Sequence, residues 1–271
     1  MRPIPVPNKK EIAVVWACSA LLMMNLGAVG SGGRRRAKEA VCLSNLRQWG
    51  VIFETFTNNN DGCFMEGFAG VSPNGNNRWI KALGVYHNYD TSLSCCPEAA
   101  VPAHDDYANC TASVSNATYL AWGHCLRDGW LRPMKGSYGI NGYCNDPDPG
   151  RGYGGTPEEY HWRTPNVENA ACIPLLLGAQ WYNAWPMHVD RPPAYEGQTW
   201  REGTDMARFC MNRHNGAVNS LFLDFSARKV GLKELWTLKW HRGYDTEGPW
   251  TKAGGVEPED WPEWMRNFKK Y

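Results

Sequence analysis

The sequence predicts an α+β fold: a long N-terminal helix, hydrophobic and then amphipathic, packed on a head that carries an antiparallel β-sheet and long disulfide-stabilised loops. Three observations predict it. Ile12 to Val29 runs eighteen residues without a charge. Beyond a small-residue joint, Cys42, Leu46, Trp49, Phe53 and Phe56 recur at spacings of four, three, four and three, which lines one apolar stripe along a helix. Towards the other end, His214-Asn215-Gly216 separates ARFCMNR (207–213) from AVNSLFLDF (217–225), and Asn-Gly between such runs is a strong hairpin signal.

Three regions follow: residues 1–33 as N-terminal extension and transmembrane helix, 34–57 as amphipathic spine, and 58–271 as one globular head. Pro3, Pro5 and Pro7 keep the first residues extended, and Asn8 is a good N-cap. Eighteen helical residues rise about 27 Å, close to the roughly 30 Å of a bilayer's hydrocarbon core. Basic residues close both ends, Lys9 and Lys10 on one side and Arg34, Arg35, Arg36 and Lys38 on the other. Ala28-Val29-Gly30 resembles a signal cleavage site, but the apolar run exceeds a signal core of about 7–15 residues, so a retained single-pass anchor is the better reading. Gly30, Gly32 and Gly33 each cost roughly 1 kcal/mol inside a helix, which marks a bend or hinge. The spine should stop at Asn58 to Gly62, a run of turn formers with a capping glycine.

From Gly62 to Gly136 the chain reads as loops with short elements, including one or two helical turns at Arg78–Leu83 and a disulfide-pinned turn at Cys95–Glu98. Gly136–Tyr143 alternates as a strand does, Asn145–Gly155 is a loop, and the apolar run Ala171–Ala179 is a buried strand. Ser226-Ala227 turns the chain into Arg228–Val230, and GLKELWTLKW opens a short helix or wide turn. The tail from Gly255, polar with scattered tryptophan, is expected to wrap the surface.

A net charge of +1 supplies no field for nucleic acid, and the cluster at Arg34–Lys38 reads as a membrane-exit anchor. The ten cysteines include no Cys-x-x-Cys pair. Behind an export-like N-terminus, Cys63, Cys95, Cys96, Cys110, Cys125, Cys144, Cys172 and Cys210 are disulfide candidates, with connectivity open; Cys18 is a small hydrophobe in the apolar run. No cofactor is required, and calcium is the one with candidate ligands, Asn145, Asp146 and Asp148 in a glycine-rich loop. A zinc set of His124, Cys125, Cys110 and Cys96 lacks ligand spacing. His214 and Asp224 read as structural, Asp224 bonding turn amides and His214 holding the end of the hairpin. No phosphate loop, nucleophile elbow or paired-carboxylate motif occurs, so no enzyme is expected. Trp162, Trp181, Trp185 and Trp200 lie among loop formers, where buried packing is the commoner fate than a sugar-stacking face.

Two stretches resemble the prepilin-like proteins of type II secretion and type IV pilus systems, in the subgroup with a C-terminal motif of His, nine residues, Asp-Gly. Arg34–Phe53 is similar to that subgroup's helix exit, with a Cys-x-x-Asn-Leu-x-Gln core at Cys42, Asn45, Leu46 and Gln48. Arg213–Arg242 places His214, Asn215, Gly216 and Asp224 at the motif's spacing, with Phe225 where the motif has glycine. SYGINGY (Ser137–Tyr143) and CPEA (Cys96–Ala99) also resemble family segments. The prepilin cleavage signature and the family's helix proline are missing. The resemblance implies a pilin-like fold and a non-catalytic structural subunit of a pseudopilus or pilus-like filament. Its partners would be sister subunits, met through the N-terminal helix, and an inner-membrane assembly platform, with no nucleic acid. Glu11 would stand in for the family glutamate that meets a neighbouring subunit's amino terminus. The implied location is the inner membrane, single pass, with the head in the periplasm or on an extracellular filament. Two other classes compete: a secreted, Trp-rich carbohydrate-binding surface protein with a cleaved signal peptide, and a metal-dependent hydrolase using His214 and Asp224.

Overall fold

The computed structural model describes residues 30, 32–67, 79–102, 117–122, 135–148, 156–199 and 201–271. The expected membrane helix, Glu11 and Cys18 lie outside these residues, as do Cys110, His124, Cys125 and Trp200. Among the described residues no helix is long and apolar enough to cross a membrane.

The first element is the spine. Helix α1 spans Gly32–Asn58, so two of the joint glycines form its first turn. Cys42, Leu46, Trp49 and Phe53 are buried as the four-three spacing requires, while Phe56 is only half-buried and Thr57 and Gly50 join the buried face. The helix ends where the turn formers begin: Asp61 and Gly62 take positive φ, and the Gly62 amide returns to the Thr57 carbonyl at 2.9 Å. A second, short helix, α2, covers Trp79–Gly84.

The spine lies on a five-stranded sheet. Strands β1 (Val101–Pro102) and β2 (Leu120–Ala121) form a separate parallel pair. The main sheet comprises β3 (Tyr138–Asn141), β4 (Pro174–Gly178), β5 (Asn183–Ala184), β6 (Ala217–Phe222) and β7 (Ala227–Gly231), in the order β5-β3-β4-β6-β7. Its pairs are antiparallel except β3 with β5. Of the apolar run Ala171–Ala179, Pro174–Gly178 becomes central strand β4, buried on both faces as its lack of alternation requires, whereas Ala171 and Cys172 belong to an exposed 3-10 turn. The 207–213 segment departs from expectation. It is a 3-10 turn (Asp205–Arg208) and irregular chain, so Asn215-Gly216 does not join two strands of a hairpin. It makes a tight local turn, both residues at positive φ, closed by the His214 amide on the Ala217 carbonyl at 3.0 Å. The hairpin that forms is β6–β7.

Each face of the sheet carries its own core. One gathers Cys42, Leu46, Trp49 and Phe53 of α1 with Leu175, Leu176 and Leu221. The other packs Leu177, Val218, Phe222 and Val230 under Trp236, Trp240, Trp261 and Met265 from the chain's last forty residues. The tail is thus a structural layer as well as a surface wrap, and no described tryptophan is exposed. Asn141 stitches the layers, its amide donating to the carbonyls of Pro174 at 2.9 Å and Trp240 at 2.8 Å.

Close approach of α1 to the β6–β7 turn sets a size limit. A Cβ on Gly50 would meet the Phe225 carbonyl oxygen at 3.1 Å and Leu221 Cδ1 at 3.2 Å. Gly50→Val, two methyls larger still at that contact, is expected to lower stability by about 1–3 kcal/mol, read as a lower urea midpoint with an unchanged slope.

Acid should also loosen the fold. His161 and His241 are 1% and 0% exposed, and burial lowers both to about 4. His241 stacks on Tyr160 at 4.2 Å and neither ring nitrogen has a partner. Unfolding restores the ordinary histidine value near 6.5. Between about 6.5 and 4 the unfolded chain therefore binds protons that the folded chain refuses, so stability falls as pH drops through that window and is unaffected above it. Urea titrations at pH 7 and 4.5 should show the loss, and His241→Phe should reduce it.

Candidate functional site

The four stretches that carry the family resemblance come from distant parts of the chain, and all four reach one buried junction. α1 brings Cys42, Asn45 and Trp49 to the segment Ser92–Cys96. Asn45 Nδ2 donates to the Cys95 carbonyl at 3.1 Å, and Trp49 Nε1 donates to the Leu93 carbonyl at 3.0 Å. Gln48 of the same motif reaches only the Ser44 carbonyl one turn back, at 3.5 Å. The Cys96 amide donates to Ser137 Oγ at 2.5 Å, which fastens this segment to the start of β3. Lys38 and Glu98 add a surface ion pair at 3.0 Å.

At the centre, the sulfurs of Cys42 and Cys96 and one ring nitrogen of His214 lie within 4.8 Å of one another, all three residues buried. His214 Nε2 is 3.4 Å from the Cys96 sulfur. The Tyr138 hydroxyl donates to the Cys42 sulfur at 3.3 Å. This is the one group of three or more metal-ligating His, Cys, Asp or Glu side chains found among the described residues.

Next to it Arg213 is almost fully enclosed, 4% exposed. Its guanidinium donates to four carbonyls: Thr118 at 2.7 Å, Ser137 at 2.5 Å, Ala179 at 3.0 Å and Leu120 at 3.3 Å. Those bonds give every guanidinium nitrogen a partner, yet none of these partners is an anion. The Cys96 sulfur lies close enough to feel the charge. A hydrogen bond from the Cys42 thiol, with His214 and Arg213 close by, holds the Cys96 thiol well below its ordinary range despite burial. Burial and the neighbouring Cys96 push Cys42 the other way. The two thiols are thus shifted in opposite directions within one pocket, an arrangement suited to thiol–disulfide chemistry.

The other sequence candidates do not come together. His214 sits before β6 and Asp224 after it, roughly 20 Å of strand apart. Asp224 is exposed, and its Oδ1 accepts from the Ser226 amide at 3.0 Å and hydroxyl at 2.7 Å, the turn-bonding role expected of it. Phe225, standing where the motif has glycine, adopts φ +60°, the conformation that favours glycine. Of the calcium candidates, Asp146 is paired with Arg163, which also binds Glu158, so a side-chain cation already occupies that carboxylate. Asn145 donates its amide to the Gly142 carbonyl at 2.7 Å, and Asp148 is exposed. Of the spaced-out zinc set only Cys96 is described, and its neighbours are Cys42 and His214 instead.

The expected disulfides are not formed in the structure: Cys63, Cys95, Cys96, Cys144, Cys172 and Cys210 are all free thiols. Cys144 and Cys210 are buried, and burial raises both thiols. Sequence reasoning assigned Cys42 to the packing stripe and passed over Tyr138 and Arg213. The available signal was that each sits inside a resemblance motif, beside a residue already singled out.

No protein-family model matches the chain, and comparisons with curated proteins and with solved structures give no significant match. The junction therefore stands on its own geometry.

Replacing Arg213 with leucine would strand the four carbonyls it binds at the centre of the junction. The expected loss is about 3–5 kcal/mol, seen as a large fall in the thermal midpoint or failure to fold. Asp224→Ala, removing only an exposed turn acceptor, should cost about 1 kcal/mol or less.

Proposed function

We propose that the chain is a structural subunit of a pilin-like filament, its N-terminal helix the assembly element and its head the exposed body. The observation that carries this is how α1 sits. Its C-terminal two-thirds bury a stripe on the sheet, yet no residue from Gly32 to Val41 is buried. Among the described residues this first third touches its own head through polar contacts of Lys38 and Glu39, and it runs back in sequence into eighteen uncharged residues whose apolar side chains neighbouring helices would cover.

The outer flank of α1 is consistent with this role. Val41 and Val51 are 49% and 62% exposed, and Val85 and Tyr86 beside the helix are 70% and 38% exposed. A shallow groove lined by Gln48, Val51, Ile52 and Tyr86 runs along the same flank. Such apolar surface is what a laterally packed copy would cover. The resemblance of Arg34–Phe53 and Arg213–Arg242 to prepilin-like proteins points the same way, and the meeting of its motifs at one structural junction gives those residues a shared packing role.

Mass spectrometry of the mature N-terminus from a membrane fraction tests this directly. The filament-subunit reading expects residues 12–29 to be retained, whereas a chain beginning after Gly30 overturns it. On the same reading Val51→Glu should leave the head's thermal midpoint within about 1 °C, since exposed substitutions are close to neutral. It should nevertheless reduce lateral association, scored by cross-linking or by counting filaments in electron micrographs.

A further inference from the structure

We propose that Cys42 and Cys96 form a disulfide, a modification site that bolts the spine helix to the loop edge of the head. The sulfurs already lie within 4.8 Å. Disulfide formation brings them to about 2.05 Å, a closure of at most about 2.8 Å shared by two side chains. The surrounding bonds hold both partners in register: Asn45 and Trp49 fasten the helix to the Cys95 and Leu93 carbonyls, and Ser137 fixes the Cys96 amide.

A metal would use the same three side chains, and the setting disfavours it. The closed structural sites of zinc take four ligands, and among the described residues this group offers three. Arg213, 4% exposed, puts a fixed positive charge beside any cation that entered. A disulfide adds no charge, and Arg213 keeps its four carbonyl partners when it forms.

Both sulfurs are nearly inaccessible in the folded chain, Cys42 at 1% and Cys96 at 0% exposure, so exchange takes place before α1 has seated. The oxidant is a low-molecular-weight or protein disulfide. The Cys96 thiolate attacks it, forming a mixed disulfide and releasing one thiol. Cys42 then loses its proton to solvent and attacks the Cys96 sulfur, the mixed disulfide breaks, and the second thiol leaves. Two protein thiols are oxidised and one external disulfide is reduced. Because the folded thiol form has its own stabilising contacts to Cys96, the bond should be reduced more readily than an ordinary structural disulfide.

The inference does not depend on filament assembly, since the bond forms or fails whether or not the chain polymerises. The test uses the full chain in detergent micelles, unfolded and reduced, refolded in oxidised glutathione, alkylated with iodoacetamide and digested without reductant. A Cys42–Cys96 linked peptide should be the main cross-link and should vanish with dithiothreitol. The thermal midpoint should fall by roughly 5–10 °C on reduction. Alkylation of both cysteines after oxidative refolding overturns the proposal. So does mutual protection that requires one zinc per chain and is lost to a chelator. If the chain does not refold, the same peptide map on protein exported to a bacterial periplasm and alkylated at lysis decides the question.

Discussion

A guanidinium buried without a carboxylate is costly, and the architecture around Arg213 is arranged to bear it. Its four carbonyl partners come from Thr118 just before β2, Leu120 in β2, Ser137 before β3 and Ala179 after β4, so one side chain closes three separate parts of the chain around a single point. Desolvating the charge is tolerable because every guanidinium nitrogen donates to a backbone carbonyl. Cys96 and His214 lie beside this point, their side chains 3.4 Å apart. The tight turn at Asn215-Gly216 follows immediately, and the chain reverses there to enter β6 while Arg213 stays inside.

The spine helix is organised by the same junction. Its stripe would bury against almost any apolar sheet face, because hydrophobic burial carries little directional information. Rotation and height are set instead by directional bonds, Asn45 to the Cys95 carbonyl and Trp49 to the Leu93 carbonyl, with Gly50 allowing the backbone to approach the β6–β7 turn. A subunit that transmits load between helix and head needs such a rigid attachment. On the proposed function, the junction is the coupling between the assembly element and the body it carries.

The opposite face shows a different solution. Among the described residues no α-helix lies on it; tryptophans from 3-10 turns and irregular chain supply the cover, and their indole N–H groups find backbone carbonyls, as Trp240 does on Leu235 at 2.8 Å and Trp236 on Asp190 at 2.8 Å. Large flat side chains cover a sheet with few residues, provided each polar tip is met. Burial is also what lowers His161 and His241.

What the sequence by itself determined is local. The four-three spacing from Cys42 to Phe53, the turn formers at Asn58 to Gly62 and the uninterrupted apolar run at β4 each encode their element through contacts a few residues apart, and the structure shows all three. The reach of the Asn-Gly signal was also local: it encoded the turn, while the segment before it is a 3-10 turn and irregular chain that ends with Arg213 buried. Only the tertiary structure decided the candidate site. Cys42, Cys96, Tyr138, Arg213 and His214 are spread from position 42 to position 214, and no spacing rule joins them. Their meeting depends on which strands become neighbours and on the helix height set by two side-chain bonds. The thiols' chemistry follows from burial and a nearby cation, neither of which exists until the chain has closed around Arg213.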